Sequence, residues 1–260
     1  PHVFELVNMM SGGFPAEYGN RMSSVFNIKS TTPQKRRTSV GISLMNTRFM
    51  SEGSFERGNW LVSARRGYLD LELQLMGEEE SFSPTYYDVL GKIEYQLNDK
   101  HRLAFNVLQA HDNLEFIEGD EDESTTKYGN AYGWLSLQST FSSALLAQTL
   151  LAAGHITHQH NGLAFTGDTR ESLMDFTVDD RRAFDFFELK QDWNWEVSQR
   201  HFLKAGADVK SLAADYDYLS VQNRFARVSQ DSLKVNIDST QVERNSSGFE
   251  FDACAAERFR

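Results

Sequence analysis

Apolar and polar residues alternate with a period of two along several stretches of the chain. In the clearest stretch, 187–197, one set of alternate residues is apolar and the other polar: Phe187, Leu189, Trp193, Trp195 and Val197 against Glu188, Lys190, Asp192, Asn194 and Glu196. Only a β-strand places successive side chains on opposite faces, so the stretch predicts a two-faced strand. The alternation resumes at Leu203 after the polar residues 198–201, which predicts a hairpin.

A second hairpin repeats this design earlier in the chain. Residues 92–97 alternate in the same way, a polar turn follows at 98–101, and apolar residues return at Leu103, Phe105 and Val107. Such short polar connections are typical of antiparallel hairpins. Further strands are predicted at 40–49, 59–68, from Tyr86 onwards after a loop at 77–83, and at 144–154, where helical spacing also fits.

Connections at the other strand ends are predicted to be long and polar. The three longest are 113–128, 160–180 and 219–241, and acidic residues are most frequent in the first two. Short turns at one side and long loops at the other are typical of outer-membrane β-barrels. The predicted fold class is therefore all-β, a transmembrane antiparallel barrel.

Composition excludes two classes of protein. The formal net charge is -11 and the charged residues are scattered, so no basic footprint for nucleic acid exists. The mean hydropathy is -0.50, and no stretch approaches the roughly 18 to 20 apolar residues of a spanning helix. A membrane barrel stays compatible with this value, because half of each strand faces a polar interior.

Residues 4–31 carry the most specific motif of the chain. They combine a strand, a glycine-bearing turn, a Tyr-Gly pair and a closing strand, with the key residues Gly12, Gly13, Ala16, Glu17, Tyr18, Gly19, Val25, Asn27 and Ile28. This order resembles the end of the plug domain of TonB-dependent outer-membrane receptors. Residues 60–70, 87–93 and 100–103 resemble early barrel strands of the same family. The family's usual Arg-Gly-Pro is replaced here by the residues 10–13, so no role of that arginine is carried over.

The resemblance implies a two-part organisation. Residues 1–33 would be the C-terminal end of a plug, and residues 34–260, starting at a short basic linker, would be the N-terminal portion of a barrel. The nine or ten strands expected here are under half of the roughly 22 of a plugged barrel. The chain starts at Pro1 and has neither an export signal nor the box that contacts the energising protein, so we expect a fragment.

The resemblance also implies function and location. The protein would import a scarce solute, with an iron-siderophore as the default, across the outer membrane of a Gram-negative cell. Its partners would be outer-membrane lipid, that solute and a TonB-type inner-membrane complex acting through the plug. No cofactor is implied, and the ligand-binding residues are not indicated.

Several candidate sites have simpler interpretations. A hard cation could be held by the acidic residues Glu118, Asp120, Glu121, Asp122 and Glu123, but they lack the spacing of a known calcium loop, so a solvated loop is favoured. His158 and His160 share a strand face that excludes His155, which disfavours a three-histidine metal site and favours a strand end running into a loop. The sequence has one cysteine, Cys254, and no CxxC motif.

Two further sets of residues could contact a ligand. Arg65 and Arg66 must occupy opposite faces, which predicts an interior ion pair beside a snorkelling neighbour. Trp60, Trp193, Trp195 and Tyr95 could stack on a sugar, and an aromatic girdle at the membrane boundary explains them more simply.

Two function classes other than transport remain open. One is a small, complete β-barrel or β-sandwich that serves as a non-transporting binding or adhesion module at the cell surface. The other is a surface glycosidase, which is disfavoured because no carboxylate pair is placed for catalysis. No nucleophile-base constellation or phosphate-binding glycine loop is present, so we predict that the chain is not an enzyme.

Overall fold

The computed structural model describes residues 4–11, 24–69, 82–118, 122–169, 172–229 and 232–259. Within these ranges the chain forms β-strands joined by turns. In chain order they are β1 (Phe4–Met10), β2 (Val25–Ser30), β3 (Arg37–Ile42), β4 (Asn46–Phe55), β5 (Gly58–Gly67), β6 (Phe82–Asn98), β7 (His101–Glu118), β8 (Asp122–Ser142), β9 (Leu145–Thr169), β10 (Ser172–Glu196), β11 (His201–Ser229) and β12 (Ser232–Phe259).

The strands form two antiparallel sheets. β1 pairs with β2, and β3 to β12 form a ten-stranded sheet in which every strand lies beside its neighbours in the chain. Each described pair in this sheet is antiparallel, so the connectivity is a simple meander. The prediction of an all-β fold with nine or ten antiparallel strands is confirmed.

The strongest alternations became strands as expected. Residues 187–196 lie in β10 and pair with β11 across the short turn at 197–200. The predicted turn at 98–101 joins β6 to β7, where the amide groups of Lys100 and His101 donate to Asn98 Oδ1 at 2.9 and 3.0 Å. The ambiguous residues 145–154 are strand, because β9 pairs along them with both β8 and β10.

The predicted single strand at 40–49 is wrong. β3 ends at Ile42 and β4 begins at Asn46, and Ser43 closes the turn by donating from its amide to Asn46 O at 2.9 Å. The Ser43 hydroxyl also accepts from the Asn46 amide at 3.1 Å. Leu44 and Met45 form the tip of this turn, 78% and 54% exposed. Two apolar residues at a tip imitate a continuing strand, because turn signals are read from Gly, Pro, Asn and Asp.

The prediction of three long loops is also wrong. Within the described residues, strand pairing extends into each of these segments, as in Asn113↔Lys127, His160↔Asp180 and Leu219↔Gln241. Both faces of these segments carry polar side chains, so the apolar-polar alternation that marks a half-buried strand is lost. Their backbone hydrogen bonds need no such alternation, and Val, Tyr, Phe and Thr in them favour extended structure.

A conventional hydrophobic core is missing from the described residues. The buried apolar side chains there are Met50, Leu61, Ala104 and Ala147, whereas large apolar side chains are exposed along every strand of the big sheet. Within the described residues, no helix is long and apolar enough to cross a membrane. The large sheet therefore has to be described by the side chains on each of its two faces.

Candidate functional site

One face of the ten-stranded sheet is covered with exposed apolar side chains, and we call it the apolar face. Cross-strand pairs such as Ile93↔Phe105 and Leu189↔Leu151 bring these residues side by side. Their exposed fractions lie between about 40% and 50%, with Ile93 at 48% and Leu189 at 47%. Contiguous apolar surface of this extent marks an interaction with an apolar partner rather than with water.

The opposite face, which we call the polar face, holds charged side chains that are less exposed than the apolar ones. The side chains of Lys92, Lys210 and Asp208 are 7%, 13% and 15% exposed. Soluble proteins show the reverse distribution, since Lys and Asp are rarely covered there. Side chains on the polar face cover one another from solvent, which indicates that the sheet curves towards this face.

Aromatic rings cluster on the apolar face near the short turns. Phe55 stacks with Tyr95 at 6.3 Å between ring centroids, and Phe141 stacks with Trp193 at 5.7 Å. Trp195 lies two residues further along the same face of β10 and is 48% exposed. Tyr and Trp have an apolar body with a polar tip, which suits a boundary between hydrocarbon and water.

At the other end of the apolar face, charged pairs replace the apolar side chains. His155 Nδ1 lies 2.6 Å from Asp185 Oδ1 on this face, and Arg181 pairs with Asp179 further up β10. On β10 the apolar stretch is thus limited to 187–195, nine residues by numbering. The one polar residue of this stretch on the apolar face, Gln191, accepts a hydrogen bond from Thr149 at 2.6 Å. A membrane-spanning strand needs about 9–11 residues.

Two ion-pair groups occupy the polar face. The Arg65 guanidinium lies 2.6 Å from Asp88 and 5.1 Å from the ring centre of Tyr86. Lys210 lies within 4 Å of Asp208, Glu250 and Asp252. Arg66 is on the apolar face opposite Tyr87, so the expected division between the two arginines is confirmed.

A mixed aromatic and charged group lies on the polar face beyond the apolar stretch. Tyr128 stacks on His158 at 4.7 Å, and Arg182 lies 5.1 Å from the ring centre of Tyr216. Arg182 also donates two hydrogen bonds to Asp180, at 2.9 and 2.6 Å, and these bonds hold the pKa of that buried carboxyl below its usual value. Electrostatic interactions of the carboxyl with His158 and His160 also lower its pKa, whereas burial raises it.

The three candidate metal-ligating histidines are divided as predicted. His158 and His160 face the polar side, where Thr126 and the His160 ring share a hydrogen bond of 2.8 Å, and His155 faces the apolar side. The expected strand end near these residues is wrong, because β9 continues to Thr169. Within the described ranges, no group of three or more His, Cys, Asp or Glu side chains is placed to hold a metal ion. Of the acidic residues considered for a cation site, Asp120 and Glu121 lie outside the described residues.

The linker between the two sheets contacts the polar face. Lys92 Nζ donates to the Thr31 carbonyl at 3.4 Å, and Ser54 Oγ donates to the Gln34 carbonyl at 2.9 Å. Pro33 between them is buried. The linker therefore connects the small sheet to the polar face of the large one. Of the plug-like residues, Asn27 pairs with Asn8 in this sheet and Ile28 is exposed there. Val25 begins β2 and pairs with Met10. The remaining ones, Gly12, Gly13, Ala16, Glu17, Tyr18 and Gly19, lie outside the described residues.

A row of apolar and aromatic side chains crosses the polar face, and the sequence did not indicate it. Strand pairing aligns Met50, Ser63, Leu90, Leu108, Tyr132, Gly154, Phe186 and Leu212. The only sign of this row in the sequence is that Leu90 and Leu108 break the alternation of apolar and polar residues in their own strands. Their alignment depends on the register of eight strands, so it could not be read locally.

Comparisons with known proteins give structural likenesses but no sequence match. No protein-family model matches the chain. No curated protein sequence matches it either. Among 15 matching chains of solved structures is the open form of the ferric-catecholate import receptor Fiu from E. coli K12, with a TM-score of 0.45 and 10% identity. The match covers 96% of this chain and 56% of that one, so the chain spans about half the length of the receptor. Values this low do not place the chain in a family.

Proposed function

We propose that the chain is part of an energy-coupled receptor of the outer membrane, of the TonB-dependent kind, that imports a scarce solute. The observation that carries the proposal is the reversed exposure of the large sheet. Leu189 is 47% exposed on one face, whereas the Lys210 side chain on the other is 13% exposed. Hydrocarbon around the apolar face and water inside the curve would satisfy both faces.

The sheet edges support a larger barrel. β3 and β12 are the edge strands of the described sheet, so each has one side without a strand partner there. Unpaired backbone N–H and C=O groups in hydrocarbon cost several kcal/mol each, so open sheet edges are not found in lipid. Additional strands would pair with these edges and close the barrel, and about 22 strands is the size of plugged transporters.

The small sheet would be the end of a plug inside that barrel. Its linker contacts Lys92 and Ser54 on the polar face, which would be the interior wall. The motif at 4–31, with its Tyr18-Gly19 pair, supports the same assignment. A TonB-type complex of the inner membrane would act on the plug, and the solute would pass between plug and wall.

Cysteine labelling in whole cells tests the location. The two labelling variants are Asp238→Cys and Gln199→Cys, each in a Cys254→Ser background. Asp238 lies on β12 near the strand ends that are remote from the short turns, and Gln199 lies in a short turn. A membrane-impermeant maleimide should label position 238 in intact cells, and position 199 only after lysis. Labelling of position 199 in intact cells, or a protein absent from the membrane fraction, contradicts the proposal.

Uptake under iron limitation tests the transport role. A strain in which the gene for the whole protein is deleted should grow to lower yield and contain less iron than its parent, and the wild-type gene should restore both. An unchanged growth yield and iron content would rule out iron-siderophore import as the main role. Cobalamin, glycans and peptides would then be the next solutes to assay.

The alternative of a non-transporting adhesion module has a distinct outcome. The described strands form one large sheet and one small one, which does not match the two facing sheets of a sandwich. An isolated small barrel would show surface exposure at position 238 and no change in the uptake of any solute on deletion.

A further inference from the structure

A cavity of about 710 Å3 lies between the small sheet and the polar face of the large one. β2 contributes Ile28 and Ser30 to its lining, and the polar face contributes residues from several strands. Sites for small organic molecules usually have volumes of about 300–1,000 Å3. The cavity is therefore large enough for one such molecule.

Two arginines face each other at one side of this cavity. Arg48 on β4 is the direct cross-strand partner of Arg65 on β5, and both line the cavity. Like charges placed directly opposite each other on one face of a sheet are destabilising. A pair of this kind therefore suggests a role other than stability.

The ion pairs of the described residues compensate only one of these two charges. Asp88 lies 2.6 Å from Arg65 Nε, and the Arg65 guanidinium also stacks over Tyr86. Arg48 is exposed and, in the part of the chain that the structure describes, makes no ion pair. Asp112 is a second carboxylate in the lining of the cavity, and no ion pair within the described residues joins it to Arg48.

The cavity also has an apolar wall. Leu90 and Leu108 are cross-strand partners, and Trp134 is paired with Asn106 on the next strands. All four residues line the cavity, and Met50 lies on the same side. Apolar and aromatic walls with a few placed polar groups are typical of sites for small organic molecules.

We propose that this cavity binds a small organic anion that combines a carboxylate or similar group with an apolar or aromatic body. The anion accepts hydrogen bonds from the Arg48 guanidinium, which can hold a carboxylate through two parallel bonds. The body of the solute packs on Leu90, Leu108 and Trp134. This inference rests on the proposed transport function and specifies the chemistry of the solute that passes between the small sheet and the wall.

Calorimetric titration of the detergent-purified protein tests the proposal. The probe is 2-naphthoate, with 2-naphthylmethanol as its neutral analogue, and each titration has a blank of the same micelles. Naphthoate should bind, and Arg48→Gln should weaken its binding by about tenfold, the loss expected for a hydrogen bond to a charged group. Naphthylmethanol should bind more weakly than naphthoate and should not respond to Arg48→Gln.

Arg66→Gln is the matched control, because Arg66 follows Arg65 in the chain but lies on the apolar face. It should leave the affinity for naphthoate within twofold. Arg48→Gln also removes the like-charge contact with Arg65, so this variant should unfold no earlier than the wild type, which separates lost binding from lost folding.

Three results would overturn the proposal: no binding of naphthoate to the wild type, equal affinity in Arg48→Gln, or equal binding of the neutral analogue. Each of these would leave the labelling of position 238 and the uptake phenotype unchanged. Conversely, a protein that binds naphthoate through Arg48 but has no uptake phenotype would contradict the transport role alone.

Discussion

Gly154 on β9 lies between two aromatic rings of neighbouring strands. A Cβ atom at this position would overlap the ring of Phe186 and lie 2.7 Å from Cδ1 of Tyr132. Glycine is required here because the rings of β8 and β10 close over its backbone. The two rings also contact each other, with 6.1 Å between their centroids.

Gly154→Ala should therefore destabilise the protein by about 1–3 kcal/mol, the usual cost of overpacking. Gly248→Ala is the control, since Gly248 belongs to the same row across the sheet and has nothing within 4 Å of its Cβ position. Urea unfolding of the protein in lipid vesicles measures the difference. Equal midpoints for the two variants would contradict this account of the ring packing.

Asp180 and Arg182 form the best-defined charge pair outside the apolar stretch. Asp180 is 6% exposed, and the bonds from Arg182 lower the pKa of its carboxyl. A carboxylate whose pKa is lower in the folded state stabilises that state at pH values above its ordinary pKa of about 4. The stabilisation is lost as the pH falls through the lowered value.

Arg182→Ala should destabilise the protein by about 1–3 kcal/mol at pH 7, because a buried charge loses its partner. The difference from the wild type should narrow as the pH falls below about 4 and Asp180 is protonated in both proteins. Arg181→Ala is the control: its partner Asp179 has a side chain that is 36% exposed, so it should cost less at every pH. A pH-independent difference for Arg182→Ala would rule out the role of Asp180.

Single residues were predictable from the sequence only when a strict alternation decided their side. The opposite placement of Arg65 and Arg66 follows from adjacency in a strand, and so does the separation of His155 from His158. The turn at Leu44 and Met45 did not follow, because its stability comes from bonds between Ser43 and Asn46 rather than from its tip residues.

At the scale of elements, the strands are much longer than a membrane requires. β11 has 29 residues and β12 has 28, whereas the apolar stretch on β10 has nine by numbering. The excess lies at the end remote from the short turns, where both faces carry polar side chains. Hairpins of this kind would extend the wall of the proposed barrel beyond the bilayer.

Substitutions along one face of the hairpins should reveal where the bilayer ends. Leu189→Lys places a charge within the apolar stretch and should cost about 2–4 kcal/mol, whereas a charge near the boundary costs about 0–1. Ala213→Lys is the control, because Ala213 is on the same face of the neighbouring strand, paired with Asp185 at the boundary. The free energy of unfolding in vesicles measures both, and equal costs would contradict the assigned depth.

Elements were predictable where one face is apolar and the other polar. That condition holds within the apolar stretch, and it fails in 113–128, 160–180 and 219–241, which were predicted as loops. In these segments the strands are stabilised by backbone hydrogen bonds to partner strands, which the part of the hairpin nearer the short turn has already aligned. Such propagation of pairing is not encoded in a local pattern.

At the scale of the whole molecule, the order of strands was predictable and the candidate site was not. A series of consecutive hairpins leaves a meander as the simplest topology, because strands that are neighbours in the chain usually pair. The cavity instead depends on β2 lying over the polar face and on the pairing of Arg48 with Arg65. Neither relation has a signal in the sequence, since the residues involved are far apart in the chain.

The central claim is that the apolar face lies in lipid and the polar face in water. Spin labels placed singly at each position from 187 to 195, in a Cys254→Ser background in vesicles, measure accessibility to oxygen and to a water-soluble nickel chelate. Oxygen accessibility should peak at Phe187, Leu189, Trp193 and Trp195, and nickel accessibility should peak at Glu188, Lys190, Asp192 and Asn194. Equal accessibility of both faces to nickel, or the reverse order, would contradict the account.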